Sequence, residues 1–279
     1  MQFWLARFIL SSVALCPPLA RWYVKLFDFA LPRLRKVGIR NLEIAGIPDD
    51  GIIDGMYRSI ARILAVFARF PALNRGNIGD LIRYDGVENF QRAQGRGKGV
   101  LVATAHLGNW ELSAFAHALL SAPMSVVVRP LDNRRVDALV EQRRAMSGNR
   151  IIAKRDAARE ILRALKSGEA VGILIDQNTT LDEGVFIDFF GVKACAGSAF
   201  VKLAHHSGAA VVPGYALWLE TEQRYALRFD AEIPMTGDVL ADTQAVHSHL
   251  ERVIRENPDQ YLWVHRRWKT RPPGESPLY

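Results

Sequence analysis

The chain has 279 residues, of which 49% are hydrophobic and 23% are charged, a balance that excludes a disordered or collagen-like protein and allows one sizeable folded domain. Its two cysteines, Cys16 and Cys195, form no C-x-x-C pair, which argues against a disulfide framework and against a cysteine-based zinc site. The formal net charge of +7 indicates an anionic partner such as nucleic acid, a membrane surface or a phosphorylated substrate.

Residues 1–48 carry most of the excess positive charge and are also the most apolar part of the chain. They hold seven basic residues against two acidic ones, and residues 8–20 carry no charge. A membrane-spanning helix needs about 20 apolar residues, so this run is too short to cross a bilayer alone. Trp22 and Tyr23 follow among cations, a pattern typical of an anionic membrane interface. We therefore predict a membrane-associated helical segment over 1–48, with a signal-peptide core and a buried helix pair as the alternatives.

A helical preface is predicted for residues 49–98. Within it, residues 59–70 form a largely apolar helical pattern that Pro71 ends. Residues 95–99 are rich in glycine but lack the G-x-x-x-x-G-K-[ST] pattern of a phosphate-binding loop. We interpret that stretch as a turn.

Residues 99–279 alternate short apolar runs with helical stretches, which predicts a single layered α/β domain with a mostly parallel central sheet flanked by helices. The predicted strands are 100–105, 125–128, 151–153, 171–175 and 209–216. The predicted helices are 110–120, 134–146, 156–166, 197–206 and 243–256. A later strand at 225–229 is expected at an antiparallel edge of the sheet.

Polar side chains follow three of the predicted strands. His106 follows the first strand, Arg129 the second, and Asp176 with Gln177 the fourth. Ligands of open α/β sheets bind beyond the carboxyl ends of the strands, so a base, a cation and a carboxylate at three such ends predict a site. Polar residues also end strands simply because the chain has reached the surface, which is the alternative explanation for each one alone.

The spacing of His106 and Glu111 is the strongest catalytic candidate. On a continuous helix, residues five apart are rotated by about 140° and do not face each other. If Asn109 caps the helix that follows, the preceding turn folds His106 back against Glu111. Glu111 would then fix one imidazole nitrogen and leave the other to act as a base on a substrate hydroxyl. The alternative is a histidine over a helix end, with Glu111 complementing only the helix dipole.

Other catalytic patterns are missing from the sequence. There is no G-x-S-x-G motif, and the histidines show no H-E-x-x-H or similar ligand spacing, so no metal is expected. Residues 263–271 are strongly basic with interleaved aromatic residues. This run predicts contact with RNA or with a phosphorylated lipid head group, and the alternative is a solvated basic tail.

The chain resembles the lipid A biosynthesis (late) acyltransferase family, a branch of the lysophospholipid and glycerolipid acyltransferase superfamily. His106 and Glu111 match its H-x-x-x-x-[DE] motif, and a run of further blocks follows in the family's order. The resemblance is firmest over residues 83–273, and ordered blocks are far more specific than the motif alone. Asp188 departs from the pattern, in which proline is usual, so the acceptor lipid and the acyl length stay open. The further blocks are 128–133, 176–178 with 184–191, Pro213 and 261–272.

The resemblance implies an O-acyltransferase that moves a fatty acyl chain from an acyl carrier protein thioester, or from acyl-CoA, to a hydroxyl of a lipid A precursor. It implies no cofactor and no metal. His106 would deprotonate the acceptor hydroxyl, and Glu111 would orient and support the imidazolium. Backbone N–H groups of residues 108–110 would stabilise the oxyanion. The implied substrate-binding residues are Arg129, Asp176, Asn109, Gln177, Arg266 and Arg267.

The expected partners are acyl carrier protein, the lipid acceptor and the bacterial inner membrane at its cytoplasmic face, with no nucleic acid. One alternative within the class is another acceptor, such as a lysophospholipid, a phosphoinositide mannoside or an ornithine lipid. The alternative outside the class is a non-catalytic basic module that binds membranes or RNA.

Overall fold

The computed structural model describes residues 1–154 and 157–279, and within these ranges the chain forms eleven α-helices and nine β-strands. The helices are α1 (Gln2–Leu15), α2 (Leu19–Ala30), α3 (Pro32–Ala45), α4 (Ile52–Ala68), α5 (Ile78–Leu81), α6 (Val87–Gln94), α7 (Trp110–Leu120), α8 (Arg134–Ala145), α9 (Ala158–Lys166), α10 (Ala199–Ser207) and α11 (Val239–Glu256). The strands are β1 (Ile82–Asp85), β2 (Val100–Thr104), β3 (Ser125–Val128), β4 (Arg150–Ala153), β5 (Ala170–Leu174), β6 (Gly184–Phe189), β7 (Val192–Gly197), β8 (Ala210–Leu219) and β9 (Arg224–Phe229).

In the described part of the chain, seven strands form one sheet in the order β1-β9-β8-β2-β5-β3-β4. The five strands from β8 to β4 run parallel, whereas β9 is antiparallel to β8 and β1 is parallel to β9. The remaining two strands form the antiparallel hairpin β6–β7. Because the carboxyl ends of parallel strands meet at one edge, the polar residues that follow β2, β3 and β5 lie at the same edge.

The central strands are buried on both sides because helices cover both faces of the sheet. Successive residues of β2 point to opposite faces. Val100 and Val102 belong to a buried cluster with Phe115 of α7. Leu101 and Ala103 belong to a second cluster with residues of α9, α10 and α11. The prediction of a mostly parallel sheet flanked by helices is confirmed.

The N-terminal helices α1 and α2 pack on α4 through one face and expose apolar side chains on the other. Leu10, Val13, Ala20 and Val24 are the buried residues of α1 and α2. A buried helix pair would bury more of its residues than these four. Within residues 1–154 and 157–279, no helix combines the length and apolarity needed to cross a membrane. The exposed large apolar residues of α1 and α2, called the N-terminal apolar surface below, are Trp4, Leu5, Phe8, Leu15, Trp22, Leu26, Phe27 and Phe29.

The predicted elements of residues 99–279 mostly appear within a few residues of their expected bounds. The clearest matches are α7 and β3, whose bounds are those predicted. The helix predicted for 156–166 is observed as α9 from Ala158, and its first predicted residue lies outside the described residues. The helix predicted from residue 243 begins earlier, at Val239, because Asp238 caps it by accepting a hydrogen bond from the backbone N–H of Ala241.

Three elements differ from the sequence-based expectations. The strand predicted at an edge, β9, is antiparallel as expected but lies inside the sheet, because β1 pairs with its outer side. The 49–98 segment, predicted as helical, therefore also contains the strand β1. Because β1 has only four residues, its alternation of buried and exposed side chains is too short to recognise in the sequence. The hairpin β6–β7 turns at Phe190 and Gly191, which both have positive φ values (55° and 75°). Such turns usually carry Asn-Gly or Asp-Gly, so Phe-Gly gave no signal.

Candidate active site

His106 lies on the turn between β2 and α7, and backbone contacts hold this turn from two sides. The carbonyl oxygen of His106 accepts a hydrogen bond from the N–H of Leu262 (2.9 Å). Gly108 adopts a left-handed conformation, with φ of 63°, and a Cβ atom there would collide with the carbonyl oxygen of Ala216. Only glycine fits this turn, which fixes the backbone on which His106 is mounted.

The imidazole of His106 is paired with Asp176, which follows β5. Nδ1 lies 3.0 Å and 3.2 Å from the two carboxylate oxygens, and the backbone N–H of His106 donates to Oδ2 (3.2 Å). Asp176 is 3% exposed. An ionised carboxylate only accepts hydrogen bonds, so Nδ1 carries the proton and Nε2 holds the lone pair that can act as a base.

The two partners shift each other's pKa in opposite directions. Burial lowers the pKa of His106, but the charge and hydrogen bond of Asp176, helped by the charge of Glu111, raise it above the ordinary value. Burial raises the pKa of Asp176, and the opposing attraction of His106 lowers it below the ordinary value. Asp176 is thus held as an anion beside a histidine that readily accepts a proton.

Glu111 lies in the first turn of α7, as predicted, but its hydrogen-bond partner is Arg144 of α8. The guanidinium donates twice to the carboxylate, at 2.6 Å and 2.8 Å. Among the described residues, no hydrogen bond joins Glu111 to His106. The predicted contact of the imidazole with a carboxylate exists, but Asp176 provides it, because Arg144 directs the Glu111 carboxylate toward α8. Glu111 acts on His106 through its charge.

Asn109 is the N-cap of α7, as the sequence predicts. Its Oδ1 accepts a hydrogen bond from the N–H of Leu112 (3.0 Å), and the residue is fully buried. A buried cap does not reach a substrate, so its predicted substrate-binding role is not supported. Two of the expected oxyanion donors are also occupied, since the N–H groups of Gly108 and Asn109 donate to the carbonyls of Gln260 and Ala216.

Arg129 and Gln177 lie at the predicted edge of the sheet with exposed side chains. They follow β3 and β5, so they share the edge that carries His106. Of the predicted substrate-binding residues, these two and Arg266 have exposed side chains that a ligand in solution can reach.

The C-terminal basic run, residues 263–271, forms a strap in which both tryptophans and Arg267 are buried, which corrects its interpretation as a binding surface. Trp263 and Trp268 are each 1% exposed, so they cannot stack on bases or insert into lipid. Arg267 is equally buried, donates to the carbonyl of Cys195 (2.7 Å) and lies over the ring of Phe189. Burial lowers the pKa of Arg267 below its ordinary value. Only Arg266 of the predicted arginine pair is exposed.

A cavity lies between α7 and the sheet. Its volume is about 60 Å³, room for a few water molecules and below the range of about 300–1,000 Å³ typical of small-molecule sites, so it is a narrow cleft. Its lining includes apolar side chains of β2, β3, β5 and β9 together with Met124 and Ala114, and β8 contributes Gly214. Trp110, Glu111 and Arg144 also line it, and the Trp110 ring packs edge-on against His106 with ring centres 5.1 Å apart. An apolar cavity therefore begins beside the His106–Asp176 pair.

Sequence reasoning missed Arg144, His265 and the cavity. Arg144 lies 33 residues from Glu111, and no local pattern marks it. The Nε2 atom of His265 accepts the N–H of Asn178 (3.0 Å), and burial lowers the pKa of this histidine. These contacts join distant parts of the chain. The signal that could have identified the cavity is the glycine inside each of two predicted strands, at residues 172 and 214.

Comparison with known proteins assigns this chain to a family. The bacterial lipid A biosynthesis acyltransferase family matches residues 48–270. The chain is 35% identical over 200 residues to the lipid A biosynthesis palmitoleoyltransferase of Escherichia coli, an alignment covering 70% of this chain and 64% of that protein. It is 24% identical over 229 residues to the phosphatidylinositol mannoside acyltransferase of Mycolicibacterium smegmatis, covering 80% of this chain and 74% of that protein.

A third relative aligns over nearly the whole chain. The lipid A biosynthesis myristoyltransferase of Escherichia coli is 22% identical over 297 residues, which cover 99% of this chain and 89% of that protein. The alignment with the palmitoleoyltransferase, by contrast, spans less than two thirds of that protein's length. The family match includes His106, Glu111, Asp176 and the strap residue Arg267. This chain belongs to the bacterial lipid A biosynthesis acyltransferase family.

Proposed function

We propose that this protein transfers a fatty acyl chain from an acyl carrier protein or CoA thioester to a hydroxyl of a lipid A precursor. The observation that carries the proposal is the hydrogen bond from His106 to the buried Asp176, made beside the mouth of an apolar cavity. The relatives named as lipid A acyltransferases support the same class of reaction.

The geometry favours direct attack by the acceptor hydroxyl. Nε2 of His106 takes the hydroxyl proton as the oxygen bonds to the thioester carbonyl carbon. The carbon–sulfur bond then breaks, and the imidazolium returns its proton to the leaving sulfur. Asp176 holds the imidazole in the required tautomer and stabilises the imidazolium that forms. This route needs no nucleophilic side chain, no metal and no further cofactor.

We assign the acyl chain to the cavity beneath α7. Its surface is mostly apolar, so it removes methylene groups from water, which stabilises binding by about 0.8 kcal/mol for each buried methylene. Trp110 lies between the cavity and His106, so a chain seated in the cavity leaves its thioester near the base.

The N-terminal apolar surface fits a protein that works at a membrane containing its lipid acceptor. Cations accompany its aromatic residues, with Arg7 over the ring of Trp4 and Lys25 over the ring of Trp22. That combination favours the interface of an anionic bilayer. Because carrier protein and CoA thioesters are cytoplasmic donors, we place the protein at the cytoplasmic face of the bacterial inner membrane. The exposed Arg129 and Arg266 are candidate contacts for acyl carrier protein or for substrate phosphates.

The proposed acceptor follows from the names of the relatives. One relative is named for a phosphatidylinositol mannoside rather than for lipid A, so members of one family differ in acceptor. A lipid A precursor is the first candidate because relatives with that name include the one at 35% identity.

The test is an in vitro transfer assay with labelled acyl carrier protein or acyl-CoA and a panel of acceptor lipids. Replacing His106→Ala should reduce transfer about 10²–10⁴-fold, the usual contribution of a general base. The matched control is His206→Ala, because His206 is exposed on α10. Transfer to no lipid by the wild-type protein, or an unimpaired His106→Ala variant, would contradict the proposal.

A further inference from the structure

Both partners of the His106–Asp176 pair lie on loops that contact the strap or the residues just before it. On the turn after β2, the N–H of Gly108 donates to the carbonyl of Gln260 (3.0 Å), and the N–H of Leu262 donates to the carbonyl of His106 (2.9 Å). The chain immediately before the strap is therefore bonded to the backbone that carries the imidazole.

The strap itself holds the loop after β5, which carries Asp176. The N–H of Asn178, two residues beyond Asp176, donates to Nε2 of His265 (3.0 Å). The side chain of Asn178 makes two further hydrogen bonds with Thr270, because its Oδ1 accepts the N–H of Thr270 (3.0 Å) and its Nδ2 donates to Oγ1 (2.9 Å). One continuous segment is thus bonded to the loop of the base and to the loop of the carboxylate.

Buried contacts fix the strap between these attachments. The buried Arg267 donates to the carbonyl of Cys195 on β7 (2.7 Å). Asn41 of α3 is also buried, and its side chain donates to the carbonyl of Trp263 and to that of His265 (2.7 Å). A supporting segment positions a site accurately when packing and hydrogen bonds lock its own conformation, and the strap meets this condition.

His265 holds the loop through a side-chain nitrogen that accepts a hydrogen bond. A backbone N–H only donates, so Nε2 keeps its lone pair and the proton resides on Nδ1. Burial lowers the pKa of His265, which keeps the imidazole uncharged at neutral pH. Only Gln177 separates Asp176 from Asn178, so a shift of the Asn178 backbone passes directly to the carboxylate.

We propose that His265 is a positioning residue, which holds the loop after β5 so that the Asp176 carboxylate stays within hydrogen-bond distance of Nδ1 of His106. The strap gives both loops a common support, and His265 is its contact on the carboxylate side. A misplacement of about 1 Å in a catalytic group costs about 100-fold in rate, so such a support affects the reaction although it acts through another residue. The inference rests on the proposed function for the reaction rate alone.

The first measurement is proton NMR of the full-length protein with its histidines labelled with ¹⁵N. The proton that Nδ1 of His106 donates to a carboxylate gives a downfield signal, and Asp176→Asn identifies this signal by removing it. His265→Leu removes the acceptor of the Asn178 N–H, so the signal should move upfield or be lost through exchange with water. His265→Gln places an amide oxygen near the position of Nε2, so it should preserve the signal.

The second measurement is kcat and KM of the transfer reaction. His265→Leu should lower kcat about 10- to 100-fold while KM stays within about twofold, because the change acts on the orientation of the base. His265→Gln should retain most of the wild-type kcat. A role confined to stability would instead lower the melting temperature and leave kcat of the folded protein unchanged.

Two hydroxyl deletions keep the test decisive if His265→Leu fails to fold. Thr270→Val preserves the shape of the side chain and removes the Oγ1 that accepts from Asn178, so it should change the signal and kcat in the same direction by a smaller amount. Tyr279→Phe is the matched control, because its hydroxyl contacts Trp268 of the strap (3.2 Å) and Asn41, away from both loops. It should preserve the signal and keep kcat within about twofold of wild type.

The outcomes separate this inference from the proposed function. A wild-type protein without the downfield signal, or a folded His265→Leu or Thr270→Val variant with an unchanged signal, would overturn it. So would a loss in His265→Gln or in Tyr279→Phe as large as that in His265→Leu. The signal reports on the pair without turnover, so a protein that transfers no acyl group but loses the signal in His265→Leu would refute only the proposed function.

Discussion

Replacing Asp176→Asn tests the central contact of the site. The substitution preserves the size of the side chain and removes its charge. The amide oxygen can still accept the hydrogen bond that the backbone N–H of His106 donates to Asp176 in the wild-type protein (3.2 Å). The amide NH₂ would then face Nδ1, which reverses the imidazole tautomer and places the proton on Nε2. The base is thereby lost from the side that faces the substrate.

The expected magnitude follows from the two contacts with Nδ1 at 3.0 Å and 3.2 Å. A hydrogen bond to a charged group contributes about 1.5–3 kcal/mol. Losing that contribution in the transition state slows the reaction about 10- to 200-fold, and tautomer reversal adds to this loss. The pH profile should also change, because Asp176 is what raises the pKa of His106 against the lowering effect of burial. Without it, the acid limb of kcat/KM should move to lower pH.

The assay is kcat/KM against pH for wild type and Asp176→Asn, with circular dichroism to verify folding. The matched control is Asp242→Asn. Asp242 is also buried, at 1% exposure, and its Oδ2 lies 2.6 Å from Nε2 of His205, away from the active site. This control can lose stability but should keep the wild-type acid limb. A folded Asp176→Asn variant with less than a tenfold loss, or with an unmoved acid limb, would refute the reasoning.

The remaining predictions concern the second carboxylate and the N-terminal helices. Glu111→Gln should lower kcat/KM about five- to tenfold, the effect of losing about 1 kcal/mol. The acid limb should move to lower pH in Glu111→Gln and to higher pH in Arg144→Gln, because Glu111 raises and Arg144 lowers the pKa of His106. Acid limbs that move in the same direction in both variants would contradict this. Changing the exposed Trp4, Phe8 and Trp22 to Ser should abolish sedimentation with anionic vesicles. Activity on detergent-dispersed acceptor should stay within about twofold of wild type. Release of the wild-type protein from vesicles by high salt alone would contradict an apolar contact with the membrane.

Local patterns predicted the elements of the domain well, because the buried strands and amphipathic helices carry their own periodicity. The bounds of α7 were predictable because Asn109 has the chemistry of an N-cap and an apolar helical pattern follows it. The sheet order was not predictable, since β1 joins it through pairing with β9, 139 residues or more further along the chain. Strand order depends on which edges remain open once the other elements have packed.

The pairing within the candidate site could not be predicted from the sequence. His106, Glu111 and Asp176 are all sequence candidates, and the sequence paired the imidazole with Glu111 because that residue is close along the chain. The observed partner is Asp176, 70 residues away. The register of β2 and β5 brings the two together, since both strands end at the same edge and each is followed by one of the pair. Local spacing could not reveal that register.

Composition misled in the C-terminal run for a similar reason. Trp263, Arg267 and Trp268 form an aromatic and basic pattern that is typical of a binding surface. The same pattern suits a strap whose arginine lies inside, where it donates to a carbonyl and packs on the ring of Phe189. Burial of a charge is rare enough that sequence reasoning assigns such residues to the surface by default.

Two carboxylates near one histidine raise the question of how they divide their roles. Asp176 is buried, hydrogen-bonded to the imidazole and held ionised by it, so its negative charge would act directly on the imidazolium of the proposed transfer. Glu111 is bound to Arg144, and the two charges have opposite effects on the pKa of His106. The Glu111–Arg144 pair therefore changes the field at His106 little as a whole. Its position on the cavity wall beside Trp110 instead fits a role at the entrance. Asp176 should accordingly contribute more to the chemical step than Glu111, even though Glu111 belongs to the motif that identifies the family.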